Sequence, residues 1–227
     1  PSMSARRRVH GAPVMVALFA ITMTAAFGSG VAVSADPSAA AASTPPDAVE
    51  ATPSLGPEAR DCRRLTDFDA DDTGQWFIVN DGVMGGRSDG GGFIAESLLR
   101  FEGTVVTAGG GFTSAMLGLE GDELADTSSI EMRVRPDGRT YGVTLEDAAE
   151  VNRLSVSHLA DFSIGAVDSD GWAIAAVDYD RLVPSVFGIL VDAPPFDPGA
   201  AREFGIIIAD GLDGDFVLDI DWIDACP

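Results

Sequence analysis

The stretch Gly214-Asp215-Phe216-Val217-Leu218-Asp219-Ile220-Asp221-Trp222 decides the class of this fold. Phe216, Leu218, Ile220 and Trp222 recur at every second position, with Asp219 and Asp221 between them. An extended chain turns successive side chains to opposite faces, so this stretch reads as a strand with an oily core face and a wet outer face. The same alternation runs outward through the chain. In Ser129–Arg135, Ile130, Met132 and Val134 point one way, and Glu131, Arg133 and Arg135 the other. Tyr141, Val143 and Leu145 share a face in residues 139–146. Pro136-Asp137-Gly138 lies between the two segments, and this turn signal predicts a β-hairpin. Residues 204–209 form a more continuous apolar run, as a central strand does. Further strands are expected at 75–79, 98–101, 104–107, 112–117, 153–157, 171–177 and 185–191. No helical stripe exceeds two turns. The pattern predicts an all-β sandwich or barrel in which a second sheet covers the first.

The folded region is expected over residues 61–227. Before it, Arg6, Arg7 and Arg8 precede an uncharged apolar run over 12–33, which ends at Val33-Ser34-Ala35. That is the pattern of a secretory signal peptide over 1–35, against the alternative of an uncleaved anchor. Residues 36–60 are rich in Ala, Pro, Ser and Thr and read as a disordered linker. Export to the periplasm, cell surface or medium is the expectation, with no membrane-spanning segment after cleavage. Cys62 and Cys226 bracket the folded region, and in an exported protein such a pair predicts a disulfide.

Composition excludes some functions. The net charge is −22, from 36 carboxylates against 14 basic residues, all of them arginine. Such a surface repels phosphate backbones, so no nucleic-acid partner is expected. His158 is the one histidine of the folded region and stands in no nucleophile or zinc motif. Two thiols and one imidazole do not make a four-ligand zinc set, and no metal site is expected. Asp67, Asp69, Asp71 and Asp72 cluster on one segment and offer oxygen to a structural calcium, but their spacing is not that of an EF-hand. Paired carboxylates of a hydrolase cannot be picked from so many acids, so no catalytic residue is assigned and no cofactor is expected.

One block carries identity: Trp76-Phe77-Ile78-Val79-Asn80-Asp81-Gly82-Val83-Met84-Gly85-Gly86-Arg87-Ser88. A strand runs into a glycine-rich loop that lacks the motifs of a phosphate cradle. An Asp81–Arg87 ion pair with Asn80 capping the turn would make it a structural loop. On the other reading, Asn80, Asp81, Arg87 and Ser88 form a ligand-facing rim. Arg133, Arg135 and Arg139 share the expected hairpin in a chain short of positive charge; they either balance the surrounding carboxylates or form a small polar patch that grips a partner, with Tyr141 a further candidate for binding. Tyr141, Trp172 and Trp222 are weighed as a sugar-stacking platform, with Trp222 assigned to the core by its phase.

The block resembles the hallmark of the complex I intermediate-associated protein 30 family: a Trp, then Asn-Asp-Gly-Val-Met-Gly-Gly-Arg-Ser. Similar elements follow in family order. They are Phe101 with Gly103, Gly110-Gly111-Phe112-Thr113-Ser114, the segment holding Arg133, Arg135, Asp137, Gly138, Arg139 and Tyr141, then Trp172, and the closing strand of Phe216, Leu218, Ile220, Asp221, Trp222 and Ile223. The resemblance implies a galactose-binding-like jelly-roll β-sandwich. It also implies a role in assembly or scaffolding, as in respiratory complex I assembly, rather than catalysis. The expected partner is a protein or an envelope component. The alternative is a carbohydrate-binding module that holds a glycan at the loop or on a concave sheet face.

Overall fold

A computed structural model describes the strand Arg7–Arg8 and residues 61–69 and 76–227. Most of the expected signal peptide and all of the linker lie outside the described residues, as do Asp71 and Asp72. The strands are β1 (Arg7–Arg8), β2 (Arg63–Thr66), β3 (Trp76–Asn80), β4 (Asp89–Ile94), β5 (Leu99–Val105), β6 (Thr113–Gly118), β7 (Ser129–Arg135) and β8 (Tyr141–Val151). After them come β9 (Leu154–Asp161), β10 (Ser163–Ile164), β11 (Ala173–Asp178), β12 (Val183–Val186), β13 (Ile189–Leu190), β14 (Glu203–Ile208) and β15 (Gly214–Cys226). Three short 3-10 turns, at Asp81–Met84, Tyr179–Arg181 and Pro198–Ala200, interrupt them.

The strands form two antiparallel sheets, as the alternation requires. Sheet A runs β1-β4-β5-β15-β7-β11-β10, with β2 also on β15; sheet B runs β13-β12-β9-β8-β14-β6-β3. The inward residues meet in one core. Ile130, Met132 and Val134 of β7 are fully buried, and so are Val143 and Leu145 of β8 and Phe216, Leu218 and Ile220 of β15 to within 3 %. Phe101 and Phe216 pack at 4.9 Å between centroids. Trp76 packs on Phe68 and on the edge of Phe204. Each such side chain contributes about 1.5–3 kcal/mol by leaving water.

Three local expectations are corrected. β7 and β8 are not a hairpin: β7 pairs with β11 and β15 in sheet A, and β8 with β9 and β14 in sheet B. The Pro136-Asp137-Gly138 turn is a corner between sheets, because each strand needs the other's apolar face across the core. Residues 98–101 and 104–107 belong largely to one strand, β5, while 185–191 folds back at Phe187-Gly188 into β12 and β13. Trp222 is not core. The register of β15 on β7 slips between Ile220, opposite Val134, and Trp222, opposite Arg133. This bulge inserts one residue and reverses the phase, so Ile223 and Ala225 are buried instead.

The disulfide joins Cys62 to Cys226 across 164 positions, at the first and last turns of the described domain. His158 is buried. Its Nε2 lies 3.2 Å from the Pro194 carbonyl and its ring packs on Phe196.

Candidate functional site

The glycine-rich block is built around one carboxylate. Asp81 follows β3 directly and is fully buried. Its Oδ1 accepts from the Ser88 amide at 2.9 Å. Its Oδ2 accepts from the Ser88 hydroxyl at 2.6 Å and the Gly111 amide at 2.6 Å. Burial raises the Asp81 pKa, but the Ser88 hydroxyl and the Gly111, Ser88 and Phe112 amides outweigh it, and the net value falls below the ordinary 3.8. Two glycines are required by closeness alone. A Cβ on Gly86 would lie 2.1 Å from the Asp81 carboxyl carbon, and one on Gly110 would lie 2.4 Å from Oδ2. Gly85, at φ 89°, ends the 3-10 turn in a conformation that suits glycine. Asn80 works alongside: its Oδ1 accepts from the Thr113 hydroxyl at 2.5 Å and the Gly90 amide at 3.1 Å. Ser88 Oγ also accepts from the Val106 amide at 3.0 Å.

Asn80, Asp81 and Ser88 therefore staple the starts of β4 and β6 and the end of β5 to the end of β3. The expected Asp81–Arg87 pair is replaced by the Ser88 contacts, because Asp81 points inward. Arg87 alone of this group is exposed, and its charge helps to lower the pKa of Asp213, after the Thr107 amide and hydroxyl.

Arg139 and Tyr141 lie elsewhere, at the corner between β7 and β8. Arg139 grips Asp210 through two bonds of 2.7 and 2.8 Å and donates to the carbonyls of Leu212, Gly214 and Asp215. Its hydrogen bond is the main reason the Asp210 pKa is depressed. Tyr141 is 1 % exposed and donates to Asp137 at 3.0 Å; burial first, then Asp137, pushes its pKa up. Asp137 also accepts from the Val217 amide.

Arg133 occupies a third place, the outer face of sheet A, and it has company there. Trp172 precedes β11, and the guanidiniums of Arg133 and Arg135 lie 4.7 and 4.4 Å from its ring centroid. Asp168 Oδ1 accepts from the Asp170 and Trp172 amides and fixes the loop that presents the indole. Trp222, opposite Arg133, carries Arg64 at 4.9 Å. Asp219 accepts from Arg100 at 2.7 and 2.9 Å and from Arg135 at 3.3 Å. Asp221, at the bulge, accepts from Arg133 at 2.5 Å, and Asp224 pairs with Arg64. Beside them Ile174 is 42 % exposed. Four arginines of an acidic chain thus line one sheet face with two indoles among them.

The expected site residues fall into three places: an interior staple (Asn80, Asp81, Ser88) with exposed Arg87 next to it, the corner where Arg139 and Tyr141 are bonded within the chain, and the outer face of sheet A (Arg133). The sequence reading missed that Trp222 joins this face. The signal was there: apolar residues two apart as far as Ile220 resume three positions later at Ile223, which marks one inserted residue. On the outer face of sheet B, Glu146 and Glu203 stand opposite each other. Burial and then the Glu146 charge raise the Glu203 pKa. Of the calcium candidates, Asp67 accepts from the Asp69 amide and Asp69 from the Ser97 hydroxyl.

Two sheets face to face around this core define a jelly-roll β-sandwich. The chain belongs to the Complex I intermediate-associated protein 30 family, whose pattern it matches over residues 66–220. No curated protein matches it in sequence. Among solved structures it is similar to the family 11 carbohydrate-binding module of the cellulosomal cellulase Lic26A-Cel5E of Clostridium thermocellum. That similarity has 12 % identity, 75 % of this chain, 97 % of the module and a TM-score of 0.47. The family 11 module of Clostridium thermocellum in complex with a β-1,3-1,4-mixed-linked tetrasaccharide is similar at 13 % identity, 74 % and 97 % coverage and a TM-score of 0.47. A family 30 carbohydrate-binding module is similar at 15 % identity, 59 % and 77 % coverage and a TM-score of 0.41.

Proposed function

We propose that this protein is an exported, non-catalytic binding domain of the assembly or scaffolding type, and that it grips a protein or envelope partner on the outer face of sheet A. The observation that carries the reading is the Arg133–Trp172–Arg135 stack. Two guanidiniums hold an indole that serves no core, next to a second indole and the exposed Ile174. Tryptophan and arginine dominate the energetic centres of interfaces because they bury large area and still offer directed donors. Asp219 and Asp221 keep the arginines from swinging, so little ordering entropy remains for binding to overcome. Family membership supports an assembly role.

A second reading is a carbohydrate-binding module, favoured by the same partly exposed indole, since an aromatic face stacks on a sugar ring. One experiment separates the two. A photo-crosslinking side chain at Ile174 in producing cells is expected to give one dominant protein adduct, absent when the probe sits at Gly118 on sheet B. Purified protein on an oligosaccharide array is expected to stay unlabelled. Sugar binding that Trp172→Ala abolishes selects the second reading, and identical adduct patterns from both probe sites sink the first.

A further inference from the structure

The hairpin of β12 and β13 does not obey the rules that shape the rest of the surface. Residues 182–191 contain no charge, in a chain with 36 carboxylates. Val183, Phe187, Ile189 and Leu190 are 45, 55, 53 and 72 % exposed. By register Ile189 lies opposite Val186, on the core side, yet remains exposed, and Leu190 lies opposite Ser185 on the other side. Ser185 and Val186 of β12 stay buried, while β13 and the turn leave apolar groups exposed on both faces. β13 is the last strand of sheet B, and among the described residues no strand pairs with its outer edge.

The turn is unusual. Phe187 has φ 51° and Gly188 φ 75°, as a two-residue turn of mirror-image type requires. Asn, Asp or Gly takes the first position without strain; a bulky aromatic there is an outlier. Phe187 is not held in this conformation by packing, since more than half of it faces water. An outlier that gains nothing for the fold points to a use outside it.

We propose that this edge is where two copies of the chain meet, β13 against β13 in antiparallel register about a two-fold axis. The edge presents unpaired backbone, and a second copy offers the same backbone and the same apolar pair, as a self-complementary contact demands. Natural edges are commonly blunted by charge or proline. β13 carries neither, so an uncharged hairpin of a −22 chain lies where two such chains would repel least. Four exposed apolar side chains per copy make a small contact, at or below the low end for specific interfaces, so the dimer is weak and forms with rising concentration.

The test is sedimentation of the purified protein over a wide concentration range at low and high salt. Association is expected to tighten as salt screens the like charges; a contact made of ion pairs goes the other way. Leu190→Lys and Ile189→Lys are expected to weaken it at least tenfold without lowering the melting temperature, because both side chains are exposed. Leu212→Lys, at another exposed leucine, should leave it unchanged. Phe187→Asn is the second line of evidence: it relieves the turn, so the melting temperature rises while self-association falls. The proposal is overturned by a protein that stays monomeric throughout, by association that Leu190→Lys leaves intact, or by association that salt dissolves. Binding of the monomer to phosphatidylcholine vesicles through the hairpin, with no self-association, would likewise overturn it and assign the hairpin to a lipid surface.

Discussion

Replacing Asp81 with Asn tests whether the glycine-rich block is a scaffold. The substitution keeps the shape and removes the charge. The amide oxygen can stay on the Oδ2 side, where the Ser88 hydroxyl and the Gly111 amide donate. Its NH2 group then faces the Ser88 amide, which donates at 2.9 Å in the parent. One charge-assisted bond is lost, worth about 1.5–3 kcal/mol, and a buried N–H is left without an acceptor, at about 1–3 kcal/mol. The expected destabilisation is about 3–5 kcal/mol. For a domain of this size that lowers the melting temperature by roughly 6–20 °C. The assay is denaturant and thermal unfolding, followed by circular dichroism and tryptophan fluorescence. The pH profile adds a second readout. The folded pKa lies below the ordinary 3.8, so the carboxylate's contribution is complete above that value and disappears as pH falls through the lower folded value. The Asn variant should lack this part of the acid limb. If its stability matches the parent's to within about 0.5 kcal/mol, or if it unfolds normally but loses a ligand, the block is a binding rim and the scaffold argument fails.

Other perturbations probe the same frame. Gly86→Ala drives a methyl into the Asp81 carboxyl and should cost about 1–3 kcal/mol in a denaturant titration, more than a surface Gly82→Ala, whose added Cβ meets nothing within 4 Å. Arg139→Ala leaves the Asp210 carboxylate, its side chain 4 % exposed, without its charged partner and with only backbone amides such as that of Leu212; a loss of about 3–5 kcal/mol is expected by chemical unfolding. Reduction of Cys62–Cys226, or its replacement by serines, frees a loop of 164 positions and should lower stability by up to about 5 kcal/mol, read as a shifted denaturation midpoint.

Much of the architecture was legible because it follows from one local rule. Ile130, Met132 and Val134 alternate with charges, and that alternation has a single solution, a strand with one buried face. Cys62 and Cys226 could be paired because no other cysteines compete. What failed to show was anything set by a partner element. The alternation in β7 and β8 is the same whether the two strands share a sheet or face each other across the core, so the corner at Pro136–Gly138 looked like a hairpin. The phase reversal at Asp221 shows only when the spacing from Ile220 to Ile223 is read as an insertion. At the site, Asp81 carries the residue type of a surface turn. Only the meeting of the loops after β3 and β5 shows that it is enclosed and that Gly86 and Gly110 are glycines to make room for it.

That enclosure bears on how function can be read from this family. In the Asn80–Ser88 block, Asp81 and Ser88 bond one another and neighbouring backbone within the chain, and the Asn80 Oδ1 is taken up by Thr113 and Gly90. Groups already paired at 2.5–2.9 Å inside a core have little left for a ligand, and breaking them to bind one would first undo the loop. The block therefore constrains the sandwich, and proteins that share it need share no partner. Partner choice must reside in side chains that the fold does not need. Trp172, Ile174 and the exposed flanks of Arg133 and Arg135 meet that condition on sheet A, and Phe187, Ile189 and Leu190 meet it at the edge of sheet B. Exchanging these positions between family members, with the Asp81 staple left intact, should move binding while leaving the unfolding transition where it was.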